Sequence, residues 1–234
     1  MERHFKLFVL LAAAFMAAVL LLDSDGLARQ SLLGLATAAF VWLFCTRLRV
    51  PAAQVICCVI VATTGEIVLS IGWGLYSYAH ALIPLYVPPG HGLFYALALA
   101  TSRQPALRIR ERAITRGVLV FGSLMALVSL AIAGDTWGLL WWVLAVALLL
   151  TSRNRLMLSA CFIYTILLEW AGTANANWHW VADVPFVRLR SANPPAGVGI
   201  LYILLDLIVV AITSRFFAGE ERGDGELQGD LARA

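Results

Sequence analysis

Residues 55–71 read VICCVIVATTGEIVLSI, seventeen residues in a row with one charged side chain, Glu66. A run of this length and apolarity approaches the ~20 residues that carry a helix across a hydrocarbon core of ~30 Å. It is too long for a buried strand, whose apolar runs are ~4–8 residues. Seven more runs flank it: Phe5–Leu22, Ser31–Cys45, Gly90–Thr101, Gly117–Ala133, Leu139–Thr151, Leu156–Ala171 and Ala196–Ser214. The chain as a whole is 61% hydrophobic and 13% charged, with a mean hydropathy of +0.84. A soluble domain carries about 25% charged residues, so most of this surface must face lipid. The expected fold is all-α: a polytopic transmembrane bundle of eight spans whose main partner is the lipid bilayer.

Charge gives the orientation. With the N-terminus inside, only Arg29, Arg188 and Arg190 of the 17 Lys and Arg residues fall in outer loops. Short loops rich in Lys and Arg stay cytoplasmic, so both ends are expected in the cytoplasm of a bacterial-type inner (plasma) membrane. Arg3, Arg222 and Arg233 count among the inner residues. The five arginines between Arg103 and Arg116 read as contacts to anionic headgroups, not to nucleic acid. The first run has the basic start of a signal peptide. No small-x-small site precedes a soluble domain, and its removal leaves an odd number of spans, so a retained helix is expected. Cys45, Cys57, Cys58 and Cys161 all fall on the reducing side, as packing or lipid-facing residues without disulfides.

The chain also repeats itself. Thr46-Arg47-Leu48-Arg49 matches Ser152-Arg153-Asn154-Arg155, and Glu66 matches Glu169. An aromatic loop follows each glutamate, Trp73 to Tyr78 in one half and Trp178-His179-Trp180 in the other. Each loop ends in a diproline, Pro88-Pro89 or Pro194-Pro195, before a helix carrying Tyr95 or Tyr202. Two halves with an even number of spans share one orientation, related by an axis along the membrane normal. The division expected is a four-helix repeat over residues 1–116, a second over 117–218, and a disordered tail over 219–234. Pro89 and Pro195 read as helix starts, where a missing N–H costs nothing. The fourth span is short, either partly inserted from Leu82 to Pro89 or lying behind other helices. Seven of the eight tryptophans (all but Trp42) gather toward the outer side, as an interfacial belt and as the lining of a site opening outward.

Only Glu66, Glu169 and Asp206 of the 14 acidic residues lie inside spans. A charge at mid-bilayer costs about 2.5–3.5 kcal/mol on insertion scales, so such a residue faces the bundle interior and has a partner or a role. At ~1.5 Å per residue, Glu66 stands roughly 22 Å from Pro51 and Glu169 roughly 20 Å from Leu156, which puts both carboxylates in one outer layer. Thr63, Glu66 and Ser70 share one helix face, as do Thr165, Glu169 and Thr173; His91 with Tyr95, and Tyr202 with Asp206 and Thr213, form two more stripes. His80, His179, Asn175 and Asn177 complete a polar pocket near the outer leaflet.

Paired carboxylates in a dry cavity suit proton transfer, one giving a proton and the other taking it up. Glu66, Glu169 and Asp206 are therefore the candidate acid–base residues. Tyr76, Tyr78, His91, Tyr95, Trp178, His179, Trp180, Asn193 and Tyr202 are the candidate substrate contacts. Three readings stay open: an enzyme on a lipid-soluble small molecule, a proton-coupled transporter, and a non-catalytic subunit of a membrane complex. No His-x-x-His, His-Glu-x-x-His or Cys-x-x-Cys spacing occurs, and no metal or cofactor is expected. Gly-rich phosphate loops, kinase signatures and nucleophile elbows are missing as well. Oligomeric state is left open.

Glu66, Gly74-Leu-Tyr76-Ser-Tyr78 and Ile83-Pro84-Leu-Tyr-Val-Pro88 together resemble the first half of membrane carotenoid-biosynthesis proteins of the carotenoid 1-hydratase type. Asn177-Trp178-His179-Trp180, followed by Asn193-Pro194-Pro195, is similar to their second aromatic loop. The resemblance covers two short blocks, about 60 residues in all. It implies acid-catalysed addition of water to a C=C bond of an isoprenoid, with Glu66 and Glu169 in the proton chemistry.

Overall fold

The structure is a computed structural model that describes residues 2–216, with side chains from Phe5 onward. The basic residues Arg3, Arg222 and Arg233 and the tail expected to be disordered lie outside the described residues or side chains. Eight principal helices follow the eight apolar runs: α1 (Glu2–Leu22), α2 (Leu27–Leu48), α3 (Ala52–Glu66), α4 (Val87–Ser102), α6 (Glu111–Ala133), α7 (Thr136–Thr151), α8 (Arg155–Ala174) and α9 (Gly199–Phe216). A single turn, α5 (Pro105–Arg108), lies in the arginine loop. Six of the helices are long and apolar enough to cross a membrane; α4 and α7 have 16 residues each, ~24 Å of rise.

The breaks between helices follow from local chemistry. Arg49 takes up a left-handed conformation (φ 52°) and closes α2 through its N–H to Cys45, after which Pro51 sits just ahead of α3. Gly134 (φ 67°) closes α6 in the same way, and Asp135 caps α7 by accepting from the Gly138 N–H at 2.9 Å. Pro88 and Pro89 stand in the first turn of α4, as a residue without an N–H requires. Pro195 does not start its helix: it opens a turn, with the Val198 N–H donating to its carbonyl, and α9 begins at Gly199. The backbone N–H groups of this stretch are taken up elsewhere, Ala196 donating to Asp135 at 2.8 Å.

Four helices form the inner ring. α3 packs on α4 and α9, and α8 packs on the same two. α4 is buried along most of its length, with α1 and α2 also against it, so its shortness reflects a place behind other helices. Outward positions such as Leu10, Leu35, Ile60 and Leu124 are large, apolar and exposed, the pattern of a surface that meets lipid. Cys45, Cys58 and Cys161 are packed in the core, and Cys57 is half-buried.

Two strands of three residues cap one end of the ring. β1 (Tyr76–Tyr78) pairs antiparallel with β2 (Trp178–Trp180), in the register Tyr76↔Trp180, Ser77↔His179, Tyr78↔Trp178. Just before β1, the end of α3 loosens into a π-helical segment, Ile67–Gly72, immediately after Glu66. Such segments are rare in helices and often adjoin functional positions.

Candidate functional site

Beneath the ribbon lies a cavity of about 170 Å³ whose wall includes Glu66 from α3, His91 from α4, Glu169 from α8 and Tyr202 from α9. The ribbon supplies Tyr76, Tyr78, Trp178 and Trp180. Both glutamates are buried, 7% and 6% exposed, so their charge must be met inside the protein.

Each is met by its own loop. Glu66 Oε2 accepts from the Tyr76 hydroxyl at 2.9 Å and the Tyr78 hydroxyl at 2.8 Å. Glu169 Oε2 accepts from the indole N–H groups of Trp178 and Trp180, both at 2.9 Å. Alternate residues of a strand lie on one side of it, which is why positions 76 and 78, and 178 and 180, reach the same carboxylate oxygen. Gly172 makes room for this on α8: a Cβ there would overlap the Trp178 ring. Tyr76 packs against Trp180 with ring centres 4.5 Å apart and planes tilted by 45°, and Trp141 and Trp137 continue the aromatic layer behind it.

The remaining oxygens face different neighbours. Glu66 Oε1 stands 3.4 Å from His91 Nε2. The other ring nitrogen, His91 Nδ1, is 3.0 Å from the Val87 carbonyl. A carbonyl cannot donate, so Nδ1 carries hydrogen and Nε2 faces the carboxylate. Nε2 and Glu66 Oε1 are then close enough to pass a proton between them. The Tyr202 ring stacks on His91 at 4.9 Å and 14° and holds the imidazole plane. The hydrogen bonds of Glu169 fall on Oε2, which leaves Oε1 for the cavity.

Other sequence candidates lie apart. Tyr95 is buried and donates to Gln54 at 3.1 Å, away from the cavity wall. His179 and Asn193 bond each other at 2.9 Å on the exposed side of the ribbon. Asn193 also accepts from the Trp180 N–H, so it positions the ribbon from outside. His80 is with Asp25 at the surface, Asn175 is exposed, and Asn177 donates to Asp23 and to the Leu20 carbonyl. Asp206 is buried (2% exposed) beside Cys161, with Oδ2 unpartnered, and lies outside the cavity wall. Among the described residues no cluster of three metal-ligating side chains forms.

Two residues that sequence reasoning passed over hold the site together. Asp23 accepts from Gln30 (2.6 Å), Tyr86 (2.8 Å) and Asn177 (3.2 Å), which ties the α1–α2 turn to the approach of α4. Asp135, 0% exposed, accepts from Ser129, Gly138, Ala192 and Ala196, and ties the α6–α7 turn to the approach of α9. Their signal was position: each acid follows a long apolar run by one or two residues, at a depth where a free carboxylate is costly. Comparison with family models, with curated proteins and with solved structures gives no match.

Proposed function

We propose that this protein is a multi-pass membrane enzyme that performs acid–base chemistry on an isoprenoid or other lipid-soluble substrate. Glu66 with His91 is the proton donor and Glu169 the acceptor. The observation that carries this reading is the buried pairing of Glu66 with His91, across from Glu169, at the wall of a mostly aromatic and aliphatic cavity. A buried proton next to an empty, apolar space is what protonation of a weakly basic carbon requires. Hydration of a C=C bond fits. A proton given up by the Glu66–His91 pair adds to one carbon, a cavity water bonds to the other, and the proton lost by that water passes to Glu169 Oε1. It then returns to the Glu66–His91 pair through water, and the net change is one water added.

The frame proposed for this site is eight spans in two parallel repeats, with both ends cytoplasmic. A shift of 102 positions carries Tyr76 to Trp178 and Tyr78 to Trp180, and so exchanges the two ends of the ribbon's register. A two-fold axis through the ribbon has that effect. The same axis exchanges Glu66 and its two phenols with Glu169 and its two indoles.

The test is comparative lipid extraction from cells that make the wild-type protein, Glu66→Gln or Glu169→Gln. Glutamine keeps the size and still accepts from the tyrosines or tryptophans, but cannot pass the proton. The expected result is a hydrated isoprenoid or otherwise altered lipid with the wild type only, at equal protein level in the membrane. An identical lipid profile in all three strains removes the reading. Proton-coupled transport is the second reading, favoured by the buried and unpartnered Asp206 Oδ2. It predicts that Asp206→Asn alone abolishes function while both glutamine variants remain active.

A further inference from the structure

The two sides of the cavity are closed differently, and the difference says what enters and from where. α1 lies against α4 and α8 and puts Met16 and Leu20 into the cavity wall, sealing the crevice between those two helices. The corresponding crevice is the one between α3 and α9. α6, which occupies the place in the second half that α1 has in the first, packs on α7 and α8 instead. The α3–α9 side is accordingly open. Leu204 and Ile208 of α9 line the cavity yet are 42% and 44% exposed. Across from them Gly65 of α3 lines it too, and a Cβ added there meets nothing within 4 Å. Above, the ribbon residues Tyr76, Trp178 and Trp180 are buried and close the way to water.

The chemistry inside is one-sided. None of the described residues lining the cavity is Lys or Arg. Besides His91, whose Nε2 is paired with Glu66, the wall holds two carboxyl groups, Tyr202 and the rings of Tyr76, Tyr78, Trp178, Trp180 and Phe94. Aromatic faces and carboxylates attract positive charge, and like charges brought together without water cost several kcal/mol. At about 170 Å³ the space holds a group of roughly benzene size, since a cavity of ~150 Å³ takes up benzene. The rest of any longer molecule must remain outside.

We infer that the cavity is loaded sideways from the lipid, through the crevice at Gly65, Leu204 and Ile208, by a single-chain amphiphile whose inserted end is neutral or cationic and never anionic. This rests on the cavity being the functional site. The chain lies in the crevice among lipid tails, and the end group sits among the aromatic rings between Glu66 and Glu169. Phosphorylated and carboxylated ends are rejected by the two glutamates.

Native mass spectrometry of the full-length protein in maltoside micelles tests this with three probes of one chain length: cetyltrimethylammonium, cetyl alcohol and cetyl sulfate. The wild type is expected to retain the ammonium and the alcohol at least about tenfold better than the sulfate, a preference worth ~1.4 kcal/mol. Gly65→Trp fills the crevice and is expected to lose both. Ile60→Trp, on the lipid-facing side of the same helix (62% exposed), is expected to keep them. Equal retention of the sulfate, retention in Gly65→Trp, or a dimer that covers Gly65 would each overturn the inference. Probe binding in a protein that alters no lipid leaves it standing and removes only the acid–base reading. Lipid alteration that persists in Gly65→Trp removes this inference alone.

Discussion

Asp135 shows how much of the fold hangs on single carboxylates. It receives two helix-terminal or loop N–H groups from the stretch before α9, one from the first turn of α7, and the Ser129 hydroxyl from α6. A hydrogen bond to a charged group contributes about 1.5–3 kcal/mol, and a buried N–H left without a partner costs about 1–3 kcal/mol. Asp135→Ala is therefore expected to lower stability by on the order of 3 kcal/mol or more. Thermal unfolding in detergent should fall by several degrees, with Asp135→Asn intermediate because its carbonyl still accepts. An unfolding temperature for Asp135→Ala within a degree of wild type would remove this role. The glutamates were legible in the sequence because a lone charge inside an apolar run has a fixed cost. Asp23 and Asp135 stand just past such runs, where nothing local tells a buried turn from an exposed one. Tyr95 was misleading for a related reason: it shares a helix stripe with His91, but one turn further along α4 its hydroxyl meets Gln54.

Helix positions could be read from apolar runs, whereas the ribbon could not. Three-residue strands carry too little alternation to register, and their pairing joins Ser77 to His179, far apart in the chain. Yet the ribbon decides the site, because it aims two phenols at one glutamate and two indoles at the other. Its packing on α8 has one tight point, Gly172 under the Trp178 ring. Gly172→Ala must push the indole away, and with it the hydrogen bond to Glu169. An exposed alanine in a helix is normally more favourable than glycine by about 1 kcal/mol, so a propensity argument alone predicts stabilisation. The clash predicts the reverse: a less stable protein, red-shifted tryptophan emission as Trp178 meets solvent, and activity reduced about as much as in Glu169→Gln. Unchanged emission together with a gain in stability would show that the ring has room to give. The π-helical turn after Glu66 was equally invisible, as a mostly apolar run looks the same in either helix type.

At the scale of the molecule, the helices were readable and their number across the membrane is the point to test. α4 and α7 are short by ~6 Å against a core of ~30 Å. α4 lies behind α1, α2 and α3 and need not meet lipid along its length, and in the segments leading into α4 and α9 the Leu85 and Ala196 N–H groups donate to Gln30 and Asp135 rather than being left bare. Short helices of this kind cross a bilayer when the protein satisfies their flanks. Eight crossings place the 103–116 loop and the C-terminal end inside, and both ribbon strands outside. The loop's five arginines and those at 47, 49, 153 and 155 then share one side. Six crossings would break this pairing, because dropping α4 and α7 leaves the two aromatic strands still joined but puts Arg103 and Arg153 on opposite sides. Reporter fusions at Gly26 and Val181 are accordingly expected to read outside, and fusions within Arg103–Arg116 and after Phe216 to read cytoplasm. A cytoplasmic reading at Val181 would place the ribbon, and the cavity beneath it, on the inner face of the membrane, with access from the inner leaflet; an outside reading within Arg103–Arg116 would remove the assignment of eight spans.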